Sequence, residues 1–413
     1  MRLILILFIT CFVNVFVFGQ GYKSSKAEFE NLPKASTEKF GFATSLPGSY
    51  SLRRYAPKPS FQEGSTCVGW SIAYSAMSIM YNKAMGITND DLKFILAFDP
   101  IFTYALAQPK NRTDCEAGTS FPIALEQLLE YGAKRGIMPP IFMNCSESVF
   151  EYNNAFSSAF KPNSIYGVDF NKFSNNKESI DFLKKLIAGG SPLPFGMNTM
   201  TSMVGTAKNS SLNQGLWQPM PNDTSEGGHA MTVIGYSDYK FGGAFEIMNS
   251  WGSDYGDNGF FWIKYSDFMK YVDEVALIEP GEINAAPCII GDCKAGYSSS
   301  KFVGGDFYEG WILDGNYAIY GVYAWEDGTI YAGDWSKGKR HGKGIVFLNG
   351  KMIGVVYNND ELVESEILGF AATKGSEQTQ MLEKVLLKNN MKIENTLTAE
   401  DADLINSKIV LSK

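Results

Sequence analysis

The sequence predicts an α+β fold, because a helix-rich stretch is followed by a strand-rich stretch and then by a glycine-rich repeat. The chain has 413 residues, of which 45% are apolar and 19% are charged, so it can bury a substantial core and is long enough for two folded units. Helices first and strands afterwards indicate two layers that face one another across a cleft. Clefts of that kind are where functional sites usually lie.

The helix-rich stretch begins at Cys67. The run VGWSIAYSAMSIMYNKAMG is apolar or small on most faces and ends at Gly86, which predicts a buried helix capped by that glycine. Segments 92–106 and 122–131 also suit helices. The first half of the domain is therefore predicted to be helical.

Strand-like runs begin at Ser191. They are short and bounded by Gly, Asn and Asp, and they read SPLPFGM, GHAMTVIGYSDY, GAFEIMNSWGSDYGDNGFFWIKY and VALIEP. The second half of the domain is therefore predicted to be a strand-rich layer.

Glycines recur at regular spacing near the C-terminus. A linker over residues 281–301, with a small disulfide loop, leads to a repeat over residues 302–362, where the motif at Tyr308 returns at Tyr331, 23 residues later. Evenly spaced glycines with aromatic residues between them predict stacked β-hairpins. The tail over residues 363–413 is predicted to be partly helical, because SEQTQMLEKVLLKNN is amphipathic.

The N-terminus has the pattern of a secretory signal peptide over residues 1–20. One arginine precedes an apolar run from Leu3 to Phe18, which small or polar residues close. A membrane anchor is the competing interpretation, but about 20 clean apolar residues usually span a bilayer and this run is shorter. We expect an exported protein that is secreted, periplasmic or at the cell surface, with no transmembrane span after signal removal. Residues 21–45 form a polar lead-in.

The net charge argues against a nucleic-acid partner. A charge of -8 and a pI of about 5.1 leave no basic stripe for a phosphate backbone. No metal ion or cofactor is predicted from the sequence.

An odd number of cysteines remains once the signal is removed. Cys288 and Cys293 in PCIIGDC can join, and Cys115 and Cys145 flank one segment, so the simplest pairing leaves Cys67 free. An unpaired thiol is a hazard in an oxidising compartment unless it is used. A buried and inert cysteine is the alternative.

A reactive thiol needs a base beside it, and the chain has two histidines. His341 lies in the basic run GKRHGKG, so His229 is the imidazole that the α+β domain can offer. A hairpin with its turn near residues 239–243 would bring Asn249 beside His229, where an amide oxygen would fix the imidazole tautomer. A structural histidine and an ordinary turn asparagine are the competing interpretations.

Gln62 lies five residues before the thiol. Its side-chain amide and the Cys67 backbone N–H could form an oxyanion hole for the tetrahedral intermediate of acyl transfer. At the first turn of its helix, Cys67 also feels the positive end of the helix dipole, which favours thiolate. A solvated loop residue is the alternative for Gln62.

The blocks QEGSTCVGW, GGHAMTVIGY and NSWGSDYGDNGFFWI resemble the three signature blocks of papain-like cysteine peptidases, in the order Cys, His, Asn. The resemblance covers about residues 46–280 and implies a two-lobed fold, with a central helix headed by the nucleophile and packed against a β-barrel-like lobe. It implies Cys67 as nucleophile, His229 as general base and later acid, Asn249 as orienter and Gln62 in the oxyanion hole.

The same resemblance assigns further residues. It implies that Trp251 shields the His-Asn hydrogen bond, that Gly118 lets a substrate backbone approach the cleft, and that Cys115 pairs with Cys145. The chain departs from the family pattern at Val68, which stands where a tryptophan usually follows the cysteine, and at Gln62, which is one residue closer than usual. The lead-in is too short for a long inhibitory prosegment, so we expect activity to be controlled in another way.

The segment YAGDWSKGKRHGKG resembles a MORN repeat. The resemblance implies small β-hairpin units that often bind proteins or lipids, and a purely structural addition is an equal alternative. For the whole chain, the preferred hypothesis is a peptidase acting on proteins or peptides. An amidase or transpeptidase with the same residues, and a degenerate binding or scaffold protein, are the alternatives.

Overall fold

The computed structural model describes residues 21–36, 39–40, 45–62, 64–109, 114–135, 160–170, 175–206, 215–284, 288–348, 351–364, 404 and 407–408. The predicted signal peptide, Cys145 and the predicted tail helix lie outside these residues. Within the described part of the chain, no helix is both long and apolar enough to cross a membrane.

The helices lie mainly in the first half of the chain. They are α1 (Lys26–Asn31), α2 (Cys67–Gly69), α3 (Ser78–Met85), α4 (Asp90–Ile95), α5 (Pro100–Leu106), α6 (Phe121–Tyr131), α7 (Asn176–Gly189), α8 (Thr201–Thr206) and α9 (Tyr265–Tyr271).

The strands form two sheets. The first contains β1 (Ser49–Ser51), β2 (Ser164–Gly167), β3 (Leu193–Met200), β4 (Leu216–Trp217), β5 (Ser225–Ser237), β6 (Ala244–Met248), β7 (Phe260–Lys264) and β8 (Val272–Glu279). The second contains β9 (Cys288–Ile290), β10 (Gly296–Lys301), β11 (Phe307–Leu313), β12 (Asn316–Ala324), β13 (Ile330–Ser336), β14 (Lys339–Leu348), β15 (Lys351–Asn358) and β16 (Glu361–Glu364).

A long buried helix leads from Cys67 into the core of the first domain. It continues from α2 through a π-helical segment, Trp70–Met77, into α3, and it ends at Gly86, whose φ of 70° needs a residue without a side chain. The sequence-predicted helix and its glycine cap are thus confirmed. The helix packs on β5, where the Ser71 hydroxyl donates to the Met231 carbonyl at 2.6 Å.

The first sheet runs in the order β2-β8-β3-β5-β6-β7-β4, and β1 pairs with the C-terminal end of β5. Its pairs are antiparallel except for β4 with β7. Because β5 pairs with both β3 and β6, its residues lie at the centre of the sheet, facing the long helix. Helices and this sheet give the predicted α+β arrangement.

The second sheet is a continuous antiparallel meander from β9 to β16, as the repeat predicts. It starts earlier than predicted, because residues 288–301 of the predicted linker contain β9 and β10. β9 pairs with β10, and β10 pairs with β11. Gly310, Gly321, Gly333 and Gly344 stand side by side across four strands. A side chain on any of them would meet a tyrosine hydroxyl of the same sheet closer than 3.0 Å.

One face of this repeat sheet packs on the helical half of the first domain. Phe307 and Phe347 share a continuous buried cluster with Met80 and Phe98. The two regions are therefore joined by a common core and not only by the chain between them.

A buried ion pair crosses the same boundary. The Arg135 guanidinium donates to the Glu309 carboxylate at 2.9 Å, with side chains that are 4% and 0% exposed. Tyr297 and Ser299 also donate to Glu309, at 3.0 and 2.8 Å. Because the pair is hydrogen-bonded on both sides, its burial is compensated.

Candidate active site

Cys67 stands at the start of the long helix and is completely buried. It is the free cysteine of the described part of the chain. Its sulfur lies against the backbone of Val68, in its own helix, and of Ala230, in β5. The thiol therefore lies at the boundary between the helical layer and the sheet.

His229 precedes Ala230 on β5, so it lies next to the strand position that contacts the sulfur. Its Nε2 and the Asn249 Oδ1 are 2.8 Å apart in a buried hydrogen bond. An amide oxygen only accepts, so Nε2 carries the proton and Nδ1 is left unprotonated. Among the described residues, Nδ1 has no hydrogen-bond partner.

Trp251 covers this hydrogen bond. Its ring stacks on the His229 ring with the centroids 4.6 Å apart and the planes 21° apart. The stacking excludes water from the imidazole and fixes its plane. The family resemblance assigns the shielding role to Trp251, and the structure places its ring against the imidazole.

Ser250 links Asn249 to Gln62, a connection that the sequence interpretation missed. Its N–H donates to Asn249 Oδ1 at 2.8 Å, and its hydroxyl donates to Gln62 Oε1 at 2.5 Å. The Gln62 amide nitrogen donates to the Gly64 carbonyl at 2.9 Å. One hydrogen-bonded chain therefore runs from Gln62 to His229, and the position of Ser250 directly after Asn249 was the only sequence signal for it.

The lead-in segment lies on the thiol. The backbone of Gly21 and Tyr22 lies against the Cys67 sulfur. The Tyr22 N–H also donates to the Gly228 carbonyl at 3.1 Å. Residues 21–36, predicted as a polar lead-in, thus begin inside the cleft and cover its nucleophile.

Gly118 lies against this segment. Its φ is 65°, and an added Cβ would collide with the Gly21 carbonyl. The adjacent Thr119 pairs with the segment: its N–H donates to the Gly21 carbonyl at 2.8 Å, and its carbonyl accepts from the Lys23 N–H at 2.9 Å. The place where the resemblance puts a substrate backbone is occupied by the chain itself.

Burial dominates the ionisation of the covered site. It raises the pKa of the Cys67 thiol to about 11, although backbone N–H groups around the sulfur oppose the shift. Burial also lowers the pKa of His229 to about 4, against the opposing hydrogen bond to Asn249. In the covered cleft, burial therefore favours the neutral thiol and the neutral imidazole over the ion pair.

The disulfides fit the cysteine count. Cys288 and Cys293 are joined. Cys115 is disulfide-bonded, and its expected partner, Cys145, lies outside the described residues. Among the described residues no group of three or more His, Cys, Asp or Glu side chains could hold a metal ion.

A thiol at a helix start, an imidazole on the facing sheet and an amide that orients it define the class of thiol-dependent acyl-transfer enzymes. The family model described as papain family cysteine protease matches residues 145–276, and the MORN repeat model matches residues 331–346. Residues 145–276 thus resemble the papain family of cysteine proteases, and residues 331–346 resemble a MORN repeat. The first match contains His229 and Asn249, whereas Cys67 and Gln62 precede it.

Individual relatives are distant. An uncharacterized peptidase C1-like protein of Acanthamoeba polyphaga mimivirus is 24% identical over 168 residues, which are 40% of this chain and 50% of that protein. The chain thus spans half the length of this curated relative. Xylellain, a cysteine protease from Xylella fastidiosa, is 22% identical with a TM-score of 0.48, covering 63% of this chain and 96% of that chain. A proCathepsin B from Trypanosoma congolense is 16% identical with a TM-score of 0.48, covering 64% and 87%.

Proposed function

We propose that the protein is an exported cysteine peptidase that hydrolyses peptide bonds through a thioester acyl-enzyme. The observation that carries the proposal is the 2.8 Å hydrogen bond between His229 Nε2 and Asn249 Oδ1. It leaves Nδ1 as a base next to Ala230, the strand position that lies against the Cys67 sulfur.

The proposed reaction begins when Nδ1 of His229 takes the thiol proton and the sulfur bonds to the substrate carbonyl carbon. The carbonyl oxygen gains the negative charge, and the Cys67 N–H and the Gln62 amide donate to it. When the tetrahedral intermediate collapses, the C–N bond breaks and the imidazolium gives its proton to the leaving amine. Water then attacks the thioester carbonyl carbon and gives a proton to His229. The C–S bond breaks, the imidazolium returns its proton to the sulfur, and the acid and the free thiol are released.

Activity requires the lead-in segment to leave the cleft. While Gly21 and Tyr22 lie on the sulfur, no substrate carbonyl can reach it. Withdrawal of the segment returns solvent to the site, which removes the burial that shifts both pKa values. The lead-in segment is thus proposed to act as a short cover that controls access to the thiol.

The buried thiol is also the observation that favours the alternative, a degenerate scaffold in which the cleft is permanently filled. In such a protein Cys67 would be an inert core residue. The complete hydrogen-bonded chain from Gln62 to His229 favours the peptidase, because a core histidine needs no such orientation.

Export is part of the proposal. It is supported by the apolar N-terminal run, by the Cys288–Cys293 disulfide and by the bonded state of Cys115, because disulfides persist in oxidising compartments. Protein or peptide substrates follow from the family.

A thiol-directed epoxide probe tests the catalytic assignment. We expect the full chain to be labelled at Cys67, faster in a Tyr22→Ala background, with labelling lost in Cys67→Ala and reduced at least tenfold in His229→Ala. His341→Ala is the matched control, since it removes the other histidine. Equal labelling of the wild type and His229→Ala would reject the assignment.

A peptide library is digested with the full chain that the probe labels, and the products are identified by mass spectrometry. This experiment separates a peptidase from an amidase or transpeptidase. Cleaved peptide bonds that disappear with Cys67→Ala support a peptidase. Labelling without any cleaved peptide bond would instead indicate an amidase or transpeptidase.

A further inference from the structure

The repeat sheet has an aromatic face on the side away from the first domain. Neighbouring residues of a strand point to opposite faces of a sheet, and Phe307 packs on the first domain, so Tyr308 lies on the opposite face. We call this opposite side the outer face. Its aromatic cluster contains Tyr308, Tyr317, Tyr323, Tyr331, Trp335 and Tyr357.

Arg340 replaces an aromatic residue in this face. The repeat spacing is 23 residues, so Arg340 holds the position that Tyr317 holds in the preceding repeat. The strand register agrees, because Tyr317 is opposite Ile312 and Arg340 is opposite Trp335. The Tyr317 ring stacks on Tyr308 with the centroids 3.9 Å apart. A guanidinium in the equivalent place carries several N–H donors, so this sequence change creates a need for acceptors.

Arg340 finds its acceptors in two parts of the chain. Its side chain is 2% exposed, its Nε donates to Asp360 Oδ1 at 2.9 Å, and its Nη1 donates to the Tyr357 hydroxyl at 3.1 Å. Asp360 and Tyr357 belong to the repeat sheet and hold the guanidinium in place. Its Nη2 donates to the main-chain carbonyl of Lys408 at 3.2 Å. The repeat sheet thus offers a fixed donor to the backbone of the tail, 68 residues further along the chain.

Lys408 also contacts the preceding hairpin. Its ammonium pairs with the carboxylate of Asp327, in the turn between β12 and β13. The Lys408 side chain is 13% exposed, although lysine side chains are mostly solvated. Trp325, at the start of the same turn, packs against the aromatic cluster, and the Arg340 guanidinium lies 5.8 Å from its ring centroid. One residue of the tail is therefore held by two successive hairpins at the outer face.

The two contacts recognise different features of a peptide. A guanidinium that donates to a main-chain carbonyl accepts any residue there, whereas a carboxylate selects a cation. Asp327 is half exposed, and an ion pair with an exposed partner contributes at most about 1 kcal/mol. The tail segment is therefore held weakly enough to exchange with a free peptide, against which it competes through its effective concentration.

We propose that the outer face of the repeat sheet is a peptide-binding site that selects a lysine, and that the segment around Lys408 of the same chain is its resident ligand. Asp327 selects the ammonium, and Arg340 holds the main chain. The site is built from the repeat sheet, so the proposal does not depend on the proposed peptidase function.

The test adds a fluorescent synthetic peptide of residues 400–413 to the full chain and measures binding by fluorescence anisotropy. The parent chain and every variant carry Cys67→Ala, so that the peptide is not cleaved. We expect Lys408→Glu to bind the peptide about fivefold more tightly than the parent chain, because the variant's own segment no longer competes. A peptide that itself carries Lys408→Glu should bind this variant about fivefold more weakly.

The acidic residue is tested in the Lys408→Glu chain. Asp327→Asn should weaken binding of the unmodified peptide about threefold, while its Oδ1 can still accept from the Thr329 N–H, a bond of 3.0 Å. Asp314→Asn, in the turn between β11 and β12, is the matched control and should leave the affinity unchanged. If the peptide binds none of these chains, or binds Asp327→Asn and Asp314→Asn equally, the lysine site is overturned.

Two further outcomes would overturn the resident ligand. The first is a Lys408→Glu chain that binds the peptide no more tightly than the parent chain. The second comes from sedimentation velocity, in which we expect the parent chain to be a monomer. A parent dimer that Lys408→Glu dissociates would place the segment on a second copy instead of on its own sheet.

Discussion

The two sheets both use glycine to make room for a tyrosine ring, but with opposite results. In the repeat sheet, Tyr308 and Tyr331 lie over the glycine row, and their hydroxyls donate to the Trp311 and Asp334 carbonyls at 2.8 and 2.9 Å. These rings belong to the strands that they cover, so they cannot leave unless the sheet unfolds.

In the first sheet, the ring over Gly196 comes from a segment outside the sheet. The Tyr22 hydroxyl lies beside Glu274 and Ser24, but no well-formed hydrogen bond to it is found among the described residues. A ring that is held by packing and a short backbone pairing can leave without unfolding the sheet. The same backbone feature, a glycine under a tyrosine ring, therefore builds a fixed core in one sheet and a replaceable contact in the other.

The largest effect is expected at the boundary between the two regions. Arg135→Met leaves the Glu309 carboxylate buried without its cation, and breaking a buried pair in this way costs about 3–5 kcal/mol. Urea unfolding followed by fluorescence measures the loss. Arg135→Met combined with Glu309→Leu should recover most of it, and a double variant as unstable as the single one would contradict this view of the pair.

The next largest effect tests the fixed glycine row. In Gly333→Ala the new methyl group would meet Gly344 and the Tyr331 hydroxyl closer than 3.0 Å, and overpacking of this kind costs about 2–3 kcal/mol. Thermal unfolding measures the loss. Gly304→Ala is the matched control in the same region, because a Cβ there meets nothing within 4 Å. Equal melting temperatures for the two variants would show that the row is not tightly packed.

The covered cleft should also respond to acid. Burial lowers the pKa of His229 to about 4, below its ordinary value of 6.5, so between these values the unfolded chain binds a proton that the folded chain does not. The neutral buried imidazole therefore does not lower the free energy of unfolding above about pH 6.5. Below that pH the free energy of unfolding falls as the pH drops toward 4. At pH 4.5 the loss is about 2 kcal/mol relative to pH 7.

His229→Gln should remove this part of the acid sensitivity, and His341→Gln should retain it. Urea unfolding of both variants at pH 7 and pH 4.5 measures the difference. If wild type and His229→Gln lose the same free energy of unfolding between pH 7 and pH 4.5, the imidazole is already solvated in the folded protein.

The sequence predicts the elements whose signals are local. The helix after Cys67 follows from its apolar run and from Gly86, and the repeat sheet follows from glycine spacing. The sequence also predicts that Asn249 lies beside His229, because one hairpin joins the two residues. The roles of these residues in catalysis stay predictions.

The sequence alone does not predict the contacts between segments that are distant in the chain. Nothing local marks Tyr22 as a residue of the cleft, since its partners Thr119, Gly196 and Gly228 are remote in the chain. Glu274 resembles any polar residue of a strand until the register places it beside Gly196. A sequence pattern indicates which residues are apolar or flexible. The contacts of Tyr22 depend instead on which strands become neighbours in the sheet.

The smallest effect we expect is kinetic and concerns the replaceable ring. Tyr22 is buried, so Tyr22→Ala removes the side chain that anchors the covering segment, while the backbone pairing at Thr119 can remain. We expect the rate of Cys67 alkylation by iodoacetamide to rise about tenfold, which corresponds to about 1.4 kcal/mol in the opening equilibrium. Tyr239→Ala, at a tyrosine that is 81% exposed, is the matched control and should leave the rate unchanged. If both variants react at the wild-type rate, the backbone pairing alone holds the segment, and the contrast between a fixed ring and a replaceable ring would not hold.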